Sequence, residues 1–157
     1  MKRSIYILSV FVIMAFSCKE HNATPDAGQL NSEASLPASF NFSQRGFKVI
    51  TSTINKQKAT MSTLYGNDSA KATAQLGNGK CLPGSVFALV TWKQQPDKRW
   101  IGANMPGELL SVEMLKATNE TPTYTRFKDT DLKMDPDTSG QSARSKYILG
   151  LKPSIMF

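Results

Sequence analysis

The rhythm of hydrophobic and polar positions changes near Phe40. Beyond it, short Val, Ile, Thr and aromatic runs alternate with Gly, Pro, Asn and Asp, a texture that predicts strands rather than long helices. Phe47 to Thr51 and Ala59 to Tyr65 read as two strands of a hairpin around the polar turn Asn55-Lys56-Gln57-Lys58. Gly66-Asn67-Asp68 ends the second strand. Ser69 to Leu76 is Ala-rich and followed by Gly77, an order of cap, helix formers and terminal glycine that predicts one short helix. Gly84 to Trp92 reads as the strongest buried strand, its continuous apolar character suiting a central position covered on both faces. Its polar sequel, Lys93 to Lys98, is expected to turn, with Arg99 to Ala103 resuming as a strand that Met105-Pro106-Gly107 breaks. Leu110, Val112 and Met114 alternate with Ser111 and Glu113 as a half-buried strand should, and Thr123 to Phe127 is a further strand. After Ser139 to Ser142, the positions Ala143, Tyr147, Ile148 and Leu151 recur at helix spacing, predicting an amphipathic helix that closes the core before Pro153. The expected fold is α+β: mainly antiparallel β-sheet, with a short helix after the second strand and a C-terminal helix.

Ahead of that domain the pattern is different. Lys2-Arg3, the nearly unbroken apolar run Ile5 to Phe16, and Ser17-Cys18 have the layout of a signal peptide. Twelve residues make a helix of about 18 Å, well short of the roughly 30 Å hydrocarbon core, so a permanent span is the weaker reading. Ala15-Phe16-Ser17-Cys18 resembles the lipobox of bacterial lipoproteins, although it has Ala15 where Leu is usual and a bulky Phe16. The resemblance implies cleavage before Cys18 and diacylglycerol on its sulfur; the competing reading is an ordinary secreted Cys. Lys19 to Ser39 carries almost no large apolar residues and reads as a flexible tether. The expected organisation is therefore a signal peptide over 1–17, a lipidated Cys18 with its tether over 18–39, and a domain over 40–157. Such a chain resides in the bacterial envelope, anchored to a membrane and facing the periplasm or the cell surface.

Composition narrows the chemistry. The 157 residues fit one domain, and two Cys with one His exclude a disulfide-dense scaffold or a multi-Cys/His zinc cluster. Lipidation consumes Cys18 and leaves Cys81 without an intramolecular partner. His21 lies in the tether, so no domain His is available to activate a thiol. Removing Lys2 and Arg3 takes the formal charge from +7 to about +5, but the remaining cations are scattered among acids and do not imply nucleic-acid binding. Lys56-Gln57-Lys58 and the Lys93/Lys98/Arg99 group read as solvated turns.

The order of strand, Tyr65-Gly66-Asn67-Asp68 turn, short helix, Leu82-Pro83-Gly84-Ser85-Val86 and buried strand resembles the cytochrome P-460 family, in particular its lipoprotein members. The most specific stretches are Met61 to Asp68, Val90 to Gln95 with Arg99 to Ala103, and Lys152-Pro153-Ser154-Ile155-Met156. The resemblance implies a mainly β, often dimeric domain, whose haem-bearing members oxidise hydroxylamine or handle nitric oxide with a c-type haem. Two anchors of that haem are missing. The neighbourhood expected to hold C-x-x-C-H reads Asp137-Thr138-Ser139-Gly140-Gln141-Ser142-Ala143-Arg144, and the register from Gly84 places the crosslinking Lys near Leu89, four residues before Lys93. Covalent haem is not expected, and noncovalent haem is left open.

Other chemistry is sparse. Cys81, between Lys80 and Leu82, is a weak cofactor-binding candidate whose thiol a nearby Lys would make reactive; the plainer reading is a half-buried residue at a strand entrance. Asp97, Glu108, Glu113, Asp129, Asp131, Asp135 and Asp137 offer a carboxylate pair or a hard-cation loop, or simply a solvated acidic loop. Trp92, Trp100, Tyr65, Tyr124 and Phe127 line either an aromatic pocket or the core. The expectation is a membrane-anchored binding or interaction module for an unknown small ligand or envelope protein, without covalent haem, without nucleic acid, and dimeric if it follows the family. No catalytic residue and no resident metal are assigned. The alternative is an atypical haem-dependent oxidoreductase acting on hydroxylamine or nitric oxide, with Cys81, a Met or a Tyr as axial ligand.

Overall fold

The computed structural model describes residues 31–118, 122–129 and 131–154. The signal peptide, Cys18, His21 and the first part of the tether lie outside the described residues, as do Ile155 and Met156 of the C-terminal family stretch.

Six strands follow one another in an antiparallel meander: β1 (Lys48–Asn55), β2 (Thr60–Gly66), β3 (Val86–Pro96), β4 (Asn104–Ala117), β5 (Pro122–Lys128) and β6 (Lys133–Met134). Helix α1 (Asp68–Leu76) lies between β2 and β3, and α2 (Gln141–Gly150) follows β6. The fold is α+β, mainly antiparallel sheet, with the two helices where the sequence pattern puts them.

Helix α1 starts one residue before the expected Ser69 because Asn67 is the better cap. Its Oδ1 accepts from the Ala70 N–H at 2.9 Å and from the Val86 N–H at 3.1 Å, while its Nδ2 donates to the Gly84 carbonyl at 2.8 Å. One side chain thus caps the helix and fixes the start of the central strand. Gly77 ends the helix at φ +60°, a left-handed conformation that a side chain disfavours. Gly66 is needed for space: a Cβ there would lie 2.7 Å from both Ala70 Cβ and Ile50 Cδ1.

The sheet buries both faces, so the core has two parts. On one face Ile50, Leu64, Phe87, Leu89 and Leu115 pack with Ala70 and Ala74 of α1 and Ile148 of α2. On the other, Ala88, Val90, Trp92, Leu109 and Val112 pack with Phe42 and Leu132, and Ala34, Leu36, Phe40 and Phe47 close over them. Residues 31–39, expected as tether, therefore belong to the folded unit. Trp92 Nε1 donates to the Ala34 carbonyl at 2.9 Å, and Asn31 Nδ2 to the Pro106 carbonyl at 2.7 Å. Composition concealed this because only Ala34 and Leu36 carry the apolar contact from that stretch.

The second correction concerns residues 93–107. β3 runs straight through Lys93-Gln94-Gln95 to Pro96, residues 97–103 form the turn, and Met105-Pro106-Gly107 lies within β4. The β2 pairing with β3 ends at Thr60↔Lys93 and the β5 pairing with β4 at Ser111↔Lys128. The β3–β4 hairpin thus projects past its neighbours as a two-stranded ribbon, where Lys93 and Pro96 are exposed while Gln94 and Gln95 are half-buried and donate to the Thr60 and Pro106 carbonyls. Pro106 breaks nothing there, since an edge position demands no N–H from it.

Candidate functional site

Register across the sheet arranges the helix-side face in rows. Phe87, Leu115 and Tyr124 stand opposite one another; Leu64, Leu89, Glu113 and Arg126 form the next row; Thr53, Ser62, Thr91, Ser111 and Lys128 form the third. Apolar side chains thus give way to hydroxyls and cations within two rows. Helix α2 covers only the apolar end, because Ile148 is its one buried residue. The polar row is left as the floor of a groove of about 940 Å³, with Lys56, Gln57 and Lys58 of the β1–β2 turn on one side and Arg144 and Tyr147 of α2 on the other.

Glu113 stands at the boundary between core and groove. It is 3% exposed and is the only buried charged residue among those described. Burial of a lone carboxylate is costly, and this one is fully engaged. Arg144 donates from Nε to Oε1 at 2.9 Å and from Nη2 to Oε2 at 2.5 Å, and the Tyr124 hydroxyl donates to Oε1. The guanidinium also lies 4.7 Å from the Tyr147 ring centroid, a cation–π contact that holds its plane. Burial and the bond to Glu113 push the Tyr124 hydroxyl well above its ordinary value, so it stays protonated as a donor. The same carboxylate raises Arg144.

A second ion network fixes the far end. Arg126 binds Asp135 through Nε at 2.7 Å and Nη2 at 2.5 Å, and Asp137 at 3.5 Å; Lys128 reaches Asp135 at 2.7 Å. The Lys128 ammonium, the Asp137 backbone N–H and the Arg126 guanidinium hold Asp135 down to about 2. Lys56 and Lys58 make no ion pair among the described residues. The lining carries Lys56, Lys58, Arg126, Lys128 and Arg144 against Glu113 and Asp129, a net positive groove floored by hydroxyls.

The residues singled out from sequence are dispersed. Cys81 is half-buried against the helix-side core, away from the groove lining, and burial pushes its thiol up, with the Ser85 hydroxyl partly opposing. Trp92 is buried on the opposite face with Tyr65 and Phe127 beside it; Tyr124 belongs to the Glu113 cluster, and Trp100 stands at the hairpin tip. These aromatics form no common pocket. Leu89 is core. Asp135 and Asp137 are tied to cations, Asp131 lies 3.5 Å from Lys133, and Asp97 accepts from the Arg99 N–H inside the turn. No group of three or more metal-ligating side chains exists among the described residues. Sequence reasoning missed the partnership of Glu113 with Arg144, 31 positions apart; the one available signal was a carboxylate at an alternation position otherwise held by Ser111.

No protein-family model matches the chain, and no curated protein matches it either.

Proposed function

We propose that this chain is a bacterial envelope lipoprotein, anchored through Cys18, whose β-rich domain is a reversible binding module for a small anionic ligand rather than an enzyme. The cationic groove floored by Thr53, Ser62, Thr91, Ser111 and Lys128 carries this reading. Hydroxyls supply donors to oxyanions, Arg126 and Arg144 present guanidinium groups already oriented by Asp135 and Glu113, and Lys56 and Lys58 can swing onto a bound anion. Preorganised donors lose little freedom on binding. The lipobox-like Ala15-Phe16-Ser17-Cys18 and the preceding apolar run support the anchor.

Haem fits this groove poorly. The described lining has no His, Cys or Met, its one axial candidate, Tyr147, has its ring covered by the Arg144 guanidinium, and its polar floor gives an apolar macrocycle little to bury against. Residues 137–144, where the family resemblance places the attachment motif, lead into α2 and supply Arg144 instead. The resemblance therefore supports a shared scaffold without the family's redox chemistry.

Calorimetric titration of the mature protein with citrate tests the proposal. Saturable binding is expected, weakening as salt rises, and Lys128→Gln should reduce affinity by roughly tenfold through loss of one charge-assisted contact. Absence of heat with citrate and phosphate, together with tight haemin binding and a Soret band, would replace the anion reading with a haem protein.

A further inference from the structure

The turn joining β3 to β4 presents the most exposed large apolar side chains among the described residues. Trp100 is 71% exposed and Ile101 fully so, directly after Lys98 and Arg99. The turn is not frayed: the Asp97 N–H donates to the Ala103 carbonyl at 2.9 Å, the Ala103 N–H to the Trp100 carbonyl at 3.0 Å, and the Arg99 N–H to Asp97 Oδ1 at 2.8 Å. A hydrogen-bonded turn at the end of a projecting ribbon thus holds a Trp-Ile pair in water beside two cations. Trp favours the membrane–water interface, and Lys and Arg are drawn to anionic headgroups.

The chain enters the folded unit at the same end. Asn31 is bonded to the Pro106 carbonyl on the ribbon, and Trp100 lies six positions before Pro106, at most about 20 Å along an extended strand. Cys18 lies thirteen residues before Asn31, a reach of no more than about 45 Å. A bilayer holding acyl chains on Cys18 is therefore within reach of the tip.

We propose that residues 97–103 are a second membrane contact: Trp100 and Ile101 insert at the interface of an anionic bilayer while Lys98 and Arg99 meet its headgroups. This orients the domain on the membrane, and it rests on the lipid-anchor reading only for the bilayer's proximity.

The test uses the full-length processed protein reconstituted into phosphatidylethanolamine/phosphatidylglycerol vesicles, with and without brominated acyl chains. Trp92 is 6% exposed and serves as the internal background. Expected is loss of Trp100 emission in brominated vesicles, a smaller loss in phosphatidylcholine vesicles, and no loss in Trp100→Phe protein. Equal emission in brominated and plain vesicles overturns the proposal, as does quenching that persists in Trp100→Phe. An emission change that follows protein concentration in detergent assigns the tip to a second copy of the chain and also overturns it. The mass of the Cys18 peptide from the same sample reports the anchor separately, so failure of lipidation and failure of tip insertion give different results.

Discussion

Glu113 is held in a nearly dry position by two donors, and its stability depends on them more than on anything in its own strand. Truncating Arg144 leaves the carboxylate with the Tyr124 hydroxyl alone. Removing one partner of a buried ion pair costs about 3–5 kcal/mol, and solvent reaching the guanidinium side places this pair near the lower figure. Arg144→Ala is expected to lower the urea midpoint by the equivalent of about 3 kcal/mol with an unchanged slope, whereas breaking an exposed pair such as Lys48–Asp68 should leave the midpoint nearly unchanged. Equal small effects from both substitutions would show that Glu113 is adequately solvated without Arg144. Little of this was legible in the sequence. Glu113 sits in an alternating strand where a polar residue signals solvent, and its burial comes from a helix whose approach no local pattern encodes.

At the scale of elements, strands up to Trp92 were readable because each had one or two apolar faces, and α1 because cap, helix formers and glycine stand in order. The β3–β4 ribbon inverted the reading. Lys93-Gln94-Gln95-Pro96 looks like a turn and Arg99-Trp100-Ile101 like a strand, yet beyond the edges of β2 and β5 there is no core, so apolar content ceases to mark a strand. β6, with only two residues, is held by two ladder pairs and by the ions that follow it. Asp135, immediately after β6, binds Arg126 and Lys128 of β5 and is depressed from 3.8 to about 2. A carboxylate depressed in the folded state adds stability above its unfolded pKa, and that contribution disappears as pH falls through the folded value. Protection of the Asp135 amide, whose N–H donates to the Arg126 carbonyl at 2.8 Å, should therefore fall relative to its intrinsic exchange rate between about pH 4 and pH 2, and Asp135→Asn should flatten that dependence while lowering protection at neutral pH. A pH profile unchanged by Asp135→Asn would contradict the role given to this ion network.

For the whole molecule, the expected α+β class was right, because strands that are neighbours in sequence also pair in space, even across the helix that separates β2 from β3. The groove was not foreseen, since its floor is a row drawn from five strands and exists only in register: Thr53, Ser62, Thr91, Ser111 and Lys128 are unremarkable one at a time. The envelope reading makes its own prediction at this scale. Cys18→Ala should accumulate a heavier precursor without acyl label, and wild-type protein made in cells with a c-haem maturation system should be colourless, with no haem adduct on any peptide. An unmodified Cys18 in the processed protein would remove the anchor, and a Soret band surviving denaturation would restore a haem enzyme.

The groove as a reversible anion site is tested most directly by titrating isotope-labelled mature protein with citrate and following backbone amide and arginine Nε–H signals by NMR. Saturable shifts concentrated at Ser62, Thr91, Ser111, Arg126 and Arg144, with one dissociation constant, are the expected result. Shifts that are absent, that never saturate, or that scatter over surface lysines while the groove residues stay unmoved would contradict it.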